Sequence, residues 1–93
     1  MSAEKPKDDP IALWMLDAVA DGGEIGLADV ARGFGRARAK PKDPADAWRK
    51  YLNAVRQQAV HLARQGRIEI VRGGVAVDPD DFKGLVKVRL PRG

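Results

Sequence analysis

The spacing of hydrophobic residues changes once along this 93-residue chain, close to Gly66, and this change limits the folds that are open to it. Before Gly66, apolar residues recur every three or four positions, which is the period of an α-helix. In the segments 67–71 and 86–90, apolar residues alternate with their neighbours, which is the period of a β-strand. The chain therefore consists of helices followed by strands, in a length that suits one domain.

Two of the predicted helices begin with the same signal, an aspartate followed by a proline. Asp9 and Asp43 suit the N-cap position, because a carboxylate there accepts a hydrogen bond from a free backbone N–H of the first turn. Proline suits the next position, where its missing N–H costs no hydrogen bond. The sequence therefore predicts a first helix from residue 10 to the glycine pair 22–23, and a long third helix from residue 44 to about residue 65.

The segment between these helices is short and ends in a basic stretch. A bridge or very short strand is predicted at Ile25, and then a second short helix that Gly33 and Gly35 stop. The stretch that follows contains Pro41, so residues 36–42 are predicted to form a basic loop.

The elements follow one another as helix, short strand, helix, long helix, strand and strand. This is the order of a winged helix-turn-helix domain. We therefore expect an α+β fold with three helices and a small antiparallel sheet, to which residues 75–77 add a further short strand. Residues 9–91 are expected to form this single domain, and residues 1–8 a flexible N-terminus.

Positive charge is concentrated in the middle of the chain. Lys and Arg outnumber Asp and Glu by 17 to 13, which gives a net charge of +4. Residues 32–67 contain ten of the bases and only two of the acids, whereas the rest of the chain has seven bases and eleven acids. Such a concentration indicates a polyanionic partner. We therefore predict binding to nucleic acid, with DNA favoured over RNA.

The predicted binding site combines the basic loop with the exposed face of the third helix. In a major groove Asn and Gln pair with adenine and Arg with guanine, so Asn53, Gln57 and Arg64 are candidates for base contacts, and the flanking bases for phosphate contacts. The alternative is an ordinary solvated helix face, because Arg and Lys favour helices anyway. The predicted residues are Arg36, Arg38, Lys40, Lys42, Arg49, Lys50, Asn53, Arg56, Gln57 and Arg64.

An acidic segment counts against the usual winged-helix mode of binding. Residues 73–84 form the predicted wing and contain Asp78, Asp80 and Asp81 against one lysine. A wing that contacts DNA is expected to be basic, because neutralising phosphates supplies most of the affinity. Either the wing points away from the nucleic acid, or the protein is not a DNA reader of the usual winged type. A cation site or an acid/base pair is also conceivable here, but turn formation is the preferred interpretation.

Several segments of the C-terminal half match one family pattern: Trp48-Arg49, Val55-Arg56 with Ala59 and Leu62, Gly66 to Glu69, Val77 to Pro79, Lys83-Gly84 and Val86 to Leu90. In these segments the chain resembles a bacterial family of small winged-helix-like domains, domain of unknown function 3253. Leu85 departs from the pattern, since relatives usually have proline there, and the basic segment 36–42 is longer than usual. The family has no established activity, so the resemblance implies the fold and no reaction.

Apart from the three aspartates of the acidic segment, the sequence contains no group of residues suited to catalysis or to metal binding. It has no Cys and no Thr, Ser2 is its one serine, and its one histidine, His61, has no carboxylate three or four positions away. We therefore expect a domain that is not an enzyme, with no catalytic residues, no metal site and no cofactor. No signal-peptide pattern and no long apolar segment is present, which predicts a cytoplasmic protein without membrane contact.

A second interpretation stays open because the first helix is apolar on two sides. Trp14 and Met15 lie on one side, and Leu13 and Leu16 on the other. A domain of this size buries only one side of such a helix well, so Leu13 and Leu16 are candidates for a homodimer or protein-partner surface. The alternative function is therefore a protein-interaction or accessory domain that self-associates through its first helix.

Overall fold

The computed structural model describes residues 9–82 and 84–91. Its helices are α1 (Pro10–Ala18), α2 (Leu27–Arg38) and α3 (Leu52–Arg64), and a 3-10 helix (Ala47–Tyr51) leads directly into α3. Its strands are β1 (Ile25–Gly26), β2 (Glu69–Arg72), β3 (Val75–Ala76) and β4 (Lys87–Arg89). The predicted flexible N-terminus, residues 1–8, lies outside the described residues.

The four strands form one antiparallel sheet in the order β1-β4-β2-β3. The last strand lies in the middle of the sheet, where Val88 is opposite Ile25 on one side and Ile70 on the other. Three helices with this sheet confirm the predicted α+β class, and the arrangement is consistent with a winged-helix-like fold. The last strand, β4, pairs with β2 along residues 69–71.

The helices and the sheet share one hydrophobic core. Among the residues that solvent does not reach are Met15 of α1, Val30 of α2, Leu62 of α3 and Val88 of β4. These residues carry the helical and alternating periods described above, so the sequence pattern predicts which side of each element is buried. None of the helices within the described residues is long and apolar enough to cross a membrane.

The start of α1 is as predicted, and its end is not. The Asp9 carboxylate accepts a hydrogen bond from the backbone N–H of Ile11 at 2.8 Å, and Pro10 is the first helical residue. The helix ends at Ala18 rather than at the glycine pair. The N–H of Val19 still donates to the Met15 carbonyl four residues back, but the N–H of Ala20 donates to the Asp17 carbonyl three residues back, at 3.2 Å. Such tightening of the last turn is a common way to satisfy the free carbonyls of a helix end.

The prediction that Gly33 and Gly35 stop the second helix is wrong, because α2 continues through both of them to Arg38. A Cβ atom added at Gly33 would lie 2.4 Å from the Trp14 ring, and one added at Gly35 would lie 2.5 Å from the Cβ of Trp48. The two glycines therefore allow close packing of α2 against two tryptophans. As a consequence the predicted loop 36–42 is shorter, because its first residues belong to the last turn of α2.

The prediction that Asp43 caps the third helix is also wrong. Its carboxylate accepts a hydrogen bond from the backbone N–H of Lys40 at 2.9 Å, and its own N–H donates to the Lys40 carbonyl at 2.9 Å. Asp43 therefore closes a turn that precedes it and makes no cap. Residues 47–51 form the 3-10 helix, and the α-helix begins only at Leu52.

Among the residues that the structure describes, one charged side chain lies in the interior, on the central strand of the sheet. Arg89 of β4 is on the side of the strand predicted to be polar, yet it is only 9% exposed. Its guanidinium donates to Glu69 at 3.1 Å, to Glu24 at 3.3 Å and to the Gly74 carbonyl at 3.4 Å. Buried charge is tolerated when it is paired and hydrogen-bonded, so these contacts also fix the turn at the tip of the β2-β3 hairpin.

Candidate nucleic-acid interface

Six of the predicted binding residues lie where the end of α2 and the following turn meet the 3-10 helix. We call these six residues the basic surface. Arg36 and Arg38 are in the last turn of α2, and the other members follow in the turn and in the 3-10 helix. All six are exposed to solvent: Arg36, Arg38, Lys40, Lys42, Arg49 and Lys50.

Aromatic rings hold the two halves of the basic surface together. The Arg38 guanidinium lies 4.5 Å from the centroid of the Phe34 ring, and Phe34 meets Tyr51 edge to face at 5.1 Å. The Lys50 ammonium lies 5.4 Å from the centroid of Tyr51. Cations and rings attract one another through the ring quadrupole, so this row of contacts links a base of α2 to a base of the 3-10 helix.

A second set of such contacts surrounds Trp48. The Arg32 guanidinium lies 4.9 Å from the Trp48 ring centroid, and that of Arg49 lies 5.7 Å away. Arg32 also pairs with Asp29 at 3.0 Å, whereas Arg49 makes no ion pair with a described residue. Sequence analysis did not assign Trp48 or Arg32 to the site. The signal for Trp48 was its position directly before Arg49 and Lys50 in the sequence. Arg32 has no such signal, because it lies 16 residues before Trp48.

The basic surface keeps its positive charge. Within residues 9–82 and 84–91, no ion pair joins any of its six side chains to a carboxylate. The nearby Asp43 directs its carboxylate to the backbone N–H of Lys40. Six uncompensated charges on one surface repel one another and attract counter-ions, which is the electrostatic condition for binding a polyanion.

Two other predicted residues, Arg56 and Arg64, are held by the segment that returns from the wing. Arg56 donates to the Phe82 carbonyl at 3.0 Å, and its guanidinium lies 4.5 Å from the centroid of the Phe82 ring. Nε of Arg64 donates to the Asp80 carboxylate at 2.8 Å, and Nη2 contacts the same oxygen. We call these four residues the covered face. The acidic segment, whose direction the sequence left open, therefore lies against α3.

Asn53 and Gln57 remain exposed on α3 between these two regions. They line one concave surface together with Arg56, Arg64 and His61. The three predicted base-reading residues, Asn53, Gln57 and Arg64, thus line one surface, but Arg64 and the neighbouring Arg56 already have partners.

The acidic segment itself is built as a turn. Asp78 accepts a hydrogen bond from the N–H of Asp80 at 2.8 Å, and its backbone carbonyl accepts one from the N–H of Asp81 at 3.1 Å. Among the residues that the structure describes, no group of three or more His, Cys, Asp or Glu side chains is placed to hold a metal ion.

The proposed partner surface on α1 is smaller than the sequence indicated. Leu16 packs against the hydrophobic core, and Leu13 is 53% exposed. A single exposed leucine is common on protein surfaces. Self-association through α1 stays a prediction that depends on Leu13.

Comparison with known proteins identifies a family and no function. The sequence pattern of a family described as protein of unknown function (DUF3253) matches residues 9–91. No curated protein matches the chain. The match spans all the helices and strands described above, including the first helices, which resemble the family only loosely by inspection of the sequence.

Proposed function

The chain belongs to the DUF3253 family of proteins of unknown function, and we propose that this domain binds nucleic acid, DNA in preference to RNA, through its basic surface. The proposal assigns the domain a binding role, with no catalytic residue and no cofactor. The single observation that supports it most is the set of six exposed bases with no carboxylate partner among the described residues.

Phosphate contacts are the main interaction that this surface offers. Each phosphate neutralised by Lys or Arg releases condensed counter-ions, so log K falls with log salt by about 0.9 for each contact with a duplex. If roughly half of the six bases are engaged, the slope is about −3. Such contacts fix position and orientation on the backbone and carry no sequence information.

Reading of bases has a minor part in the proposal. Asn53 and Gln57 are exposed and adjoin the basic surface along α3. Arg56 and Arg64 are hydrogen-bonded to Phe82 and Asp80, so a nucleic acid must first displace these contacts before it can use either arginine. The domain is therefore proposed to anchor on the backbone with weak sequence preference.

A salt-dependent binding titration with two matched variants tests the proposal. The first variant, Arg36→Gln with Lys40→Gln, removes two charges from the basic surface. The second, Arg72→Gln with Lys87→Gln, removes two exposed charges from β2 and β4. We expect the first to lose about 10- to 100-fold in affinity at low salt and to flatten the salt slope by about 1 to 2, since two phosphate contacts are lost.

The second variant is expected to stay close to the unmodified protein, within about 2-fold. Equal losses in both variants would show that only net charge matters and that the basic surface is not the site. Absence of binding to duplex DNA, single-stranded DNA and RNA at low salt would overturn the proposed function as a whole.

A further inference from the structure

We propose that the basic surface binds a single-stranded nucleic acid, with one base stacked on Trp48, in preference to a duplex. This inference rests on the proposed function and specifies its ligand. It follows from the contacts between rings and cations at the basic surface, from the partial exposure of Trp48, and from the charge of the segment that lies along α3.

The surface has the composition of a single-strand site. Three aromatic side chains lie next to its bases: Phe34 beside Arg38, Tyr51 beside Lys50, and Trp48 beside Arg49. Proteins that bind single strands combine a positive groove for the backbone with rings on which bases stack. A site that contacts only the phosphate backbone of a duplex does not require aromatic side chains.

Trp48 is the ring best placed to receive a base. Its Cβ packs tightly against Gly35 of α2, so the side chain is held at its root, and the residue is only partly buried. Phe34, in contrast, is 6% exposed and offers no free face. A base that stacks on Trp48 therefore meets an indole that is held at its root and packs on one side against the hydrophobic core.

The Arg49 guanidinium is the group that a base would replace. Arg49 is exposed and lies 5.7 Å from the Trp48 ring centroid, farther than Arg32 at 4.9 Å. Arg32 is held by its ion pair with Asp29, whereas Arg49 has no such restraint from a described carboxylate. Stacking of a base on an aromatic ring is stronger than an exposed cation–π contact, so the exchange is favourable and frees Arg49 for a phosphate.

A duplex meets an obstacle that a single strand avoids. In a winged-helix arrangement the exposed face of the third helix enters the major groove. Here that face carries Asp80 on Arg64, with Asp78 and Asp81 in the same turn. The two phosphate backbones that flank a groove would approach these carboxylates, while a flexible strand follows the basic surface alone.

Tryptophan fluorescence tests this inference. The protein has two tryptophans, so Trp14→Phe leaves Trp48 as its one indole. The probes are oligothymidylate and oligouridylate of about 12 nucleotides, a duplex of the same length, and inorganic polyphosphate, which has charge but no bases. We expect single strands to quench Trp48 and to bind about 10-fold more tightly than the duplex, and polyphosphate to bind without quenching. The two single strands separate DNA from RNA.

Two substitutions at the ring add an independent test. Trp48→Leu is expected to weaken single-strand binding about 10-fold and to leave polyphosphate binding unchanged, whereas Trp48→Tyr keeps a stacking ring and retains most of the affinity. Because Trp48→Leu also removes packing, far-UV circular dichroism checks that it folds, and Trp48→Tyr keeps the test valid if it does not. Duplex bound as tightly as single strands, with no quenching, would overturn this inference and leave the proposed function intact. Absence of binding to every nucleic acid would overturn the proposed function itself.

Discussion

Basic side chains along the unit formed by the 3-10 helix and α3 have different surroundings, although the sequence presents them as one basic face. In the 3-10 helix, Arg49 and Lys50 contact aromatic rings and solvent. In α3, Arg56 contacts the ring and backbone carbonyl of Phe82, and Arg64 contacts the Asp80 carboxylate, both within the segment predicted as the wing. The number of bases on a helix is therefore not the number of charges available to a ligand.

The difference matters for binding more than for stability. The side chains of Arg64 and Asp80 are 62% and 55% exposed, and exposed ion pairs contribute about 0–1 kcal/mol to folding. The carboxylate is nevertheless tethered to the same chain, so it competes with any phosphate at a high effective concentration. The covered face is thus already occupied by a weak intramolecular partner, while the basic surface is open.

The largest effect on the free energy of unfolding is expected from preventing the close approach of α2 to the 3-10 helix, which positions the basic surface. In Gly35→Ala, the added methyl group lies 2.5 Å from the Cβ and 2.7 Å from the Cα of Trp48, so the 3-10 helix must move away from α2. Overpacking of this kind costs up to about 3 kcal/mol, and the better helix propensity of alanine returns about 1 kcal/mol. We expect the free energy of unfolding to fall by about 2 kcal/mol in urea titrations.

Gly23→Ala is the matched control for this substitution. Its added methyl group would meet only the flexible Asp21 carboxylate, at 3.2 Å, so the change is expected to stay within about 0.5 kcal/mol. If Gly35→Ala is as stable as the unmodified protein, the close contact of Gly35 with Trp48 is not needed to pack the 3-10 helix against α2.

A smaller effect on the free energy of unfolding is expected from replacing one arginine of the covered face and one arginine of the basic surface. Arg56→Gln loses a hydrogen bond from a charged group and the stack on Phe82, so the free energy of unfolding is expected to fall by about 1–1.5 kcal/mol. Arg36→Gln loses no described hydrogen bond or ion pair and is expected to change it by about 0.5 kcal/mol or less. Chemical denaturation and nucleic-acid titration of both variants make the comparison.

The loss of affinity for nucleic acid is expected to be larger in Arg36→Gln than in Arg56→Gln. Arg36 has no described hydrogen-bond or ion-pair partner, whereas Arg56 would have to leave the Phe82 carbonyl. A larger loss of affinity in Arg56→Gln than in Arg36→Gln, at equal stability, would show that the covered face is the binding surface. That result would reverse the comparison drawn above.

The sequence predicted the features that depend on local signals. The Asp9 cap and the alternating segments that form β2 and β4 follow from neighbours in sequence and from hydrophobic period. The exact end of α2 could not be predicted, because Gly33 and Gly35 have the same local signal whether they end a helix or admit a tryptophan. Whether the helix continues depends on the positions of Trp14 and Trp48, which are set by tertiary packing.

The division of the binding site into two regions was beyond prediction for a related reason. The partners of Arg56 and Arg64 lie 26 and 16 residues farther along the chain. Helical spacing shows that both arginines lie on one face, but it contains no information about which loop returns to that face. The sequence nevertheless indicated that this face is not uniformly basic, because the three aspartates of the predicted wing disfavour contact with DNA phosphates.

The smallest effect is expected from removing the ion pair between Arg64 and Asp80. This change tests most directly whether the covered face differs from the basic surface in the charge it offers to a ligand. Asp80→Asn removes the charge that holds Arg64 and adds one base to those available for a phosphate. One additional contact steepens the salt slope by up to about 1, and at low salt we expect affinity to rise by about 3- to 10-fold. The loss in stability is expected to stay below about 1 kcal/mol, because the pair is exposed.

Asp17→Asn is the control, since it removes one exposed negative charge from α1, which has no part in the proposed site. If both variants gain affinity equally, the gain comes from net charge and not from Arg64. If Asp80→Asn gains nothing while Arg36→Gln with Lys40→Gln still loses affinity, Arg64 stays out of reach even when it is free. In that case the bound nucleic acid ends at the basic surface. The predicted wing then limits the length of the binding site, and Asp80 does not compete with phosphates for Arg64.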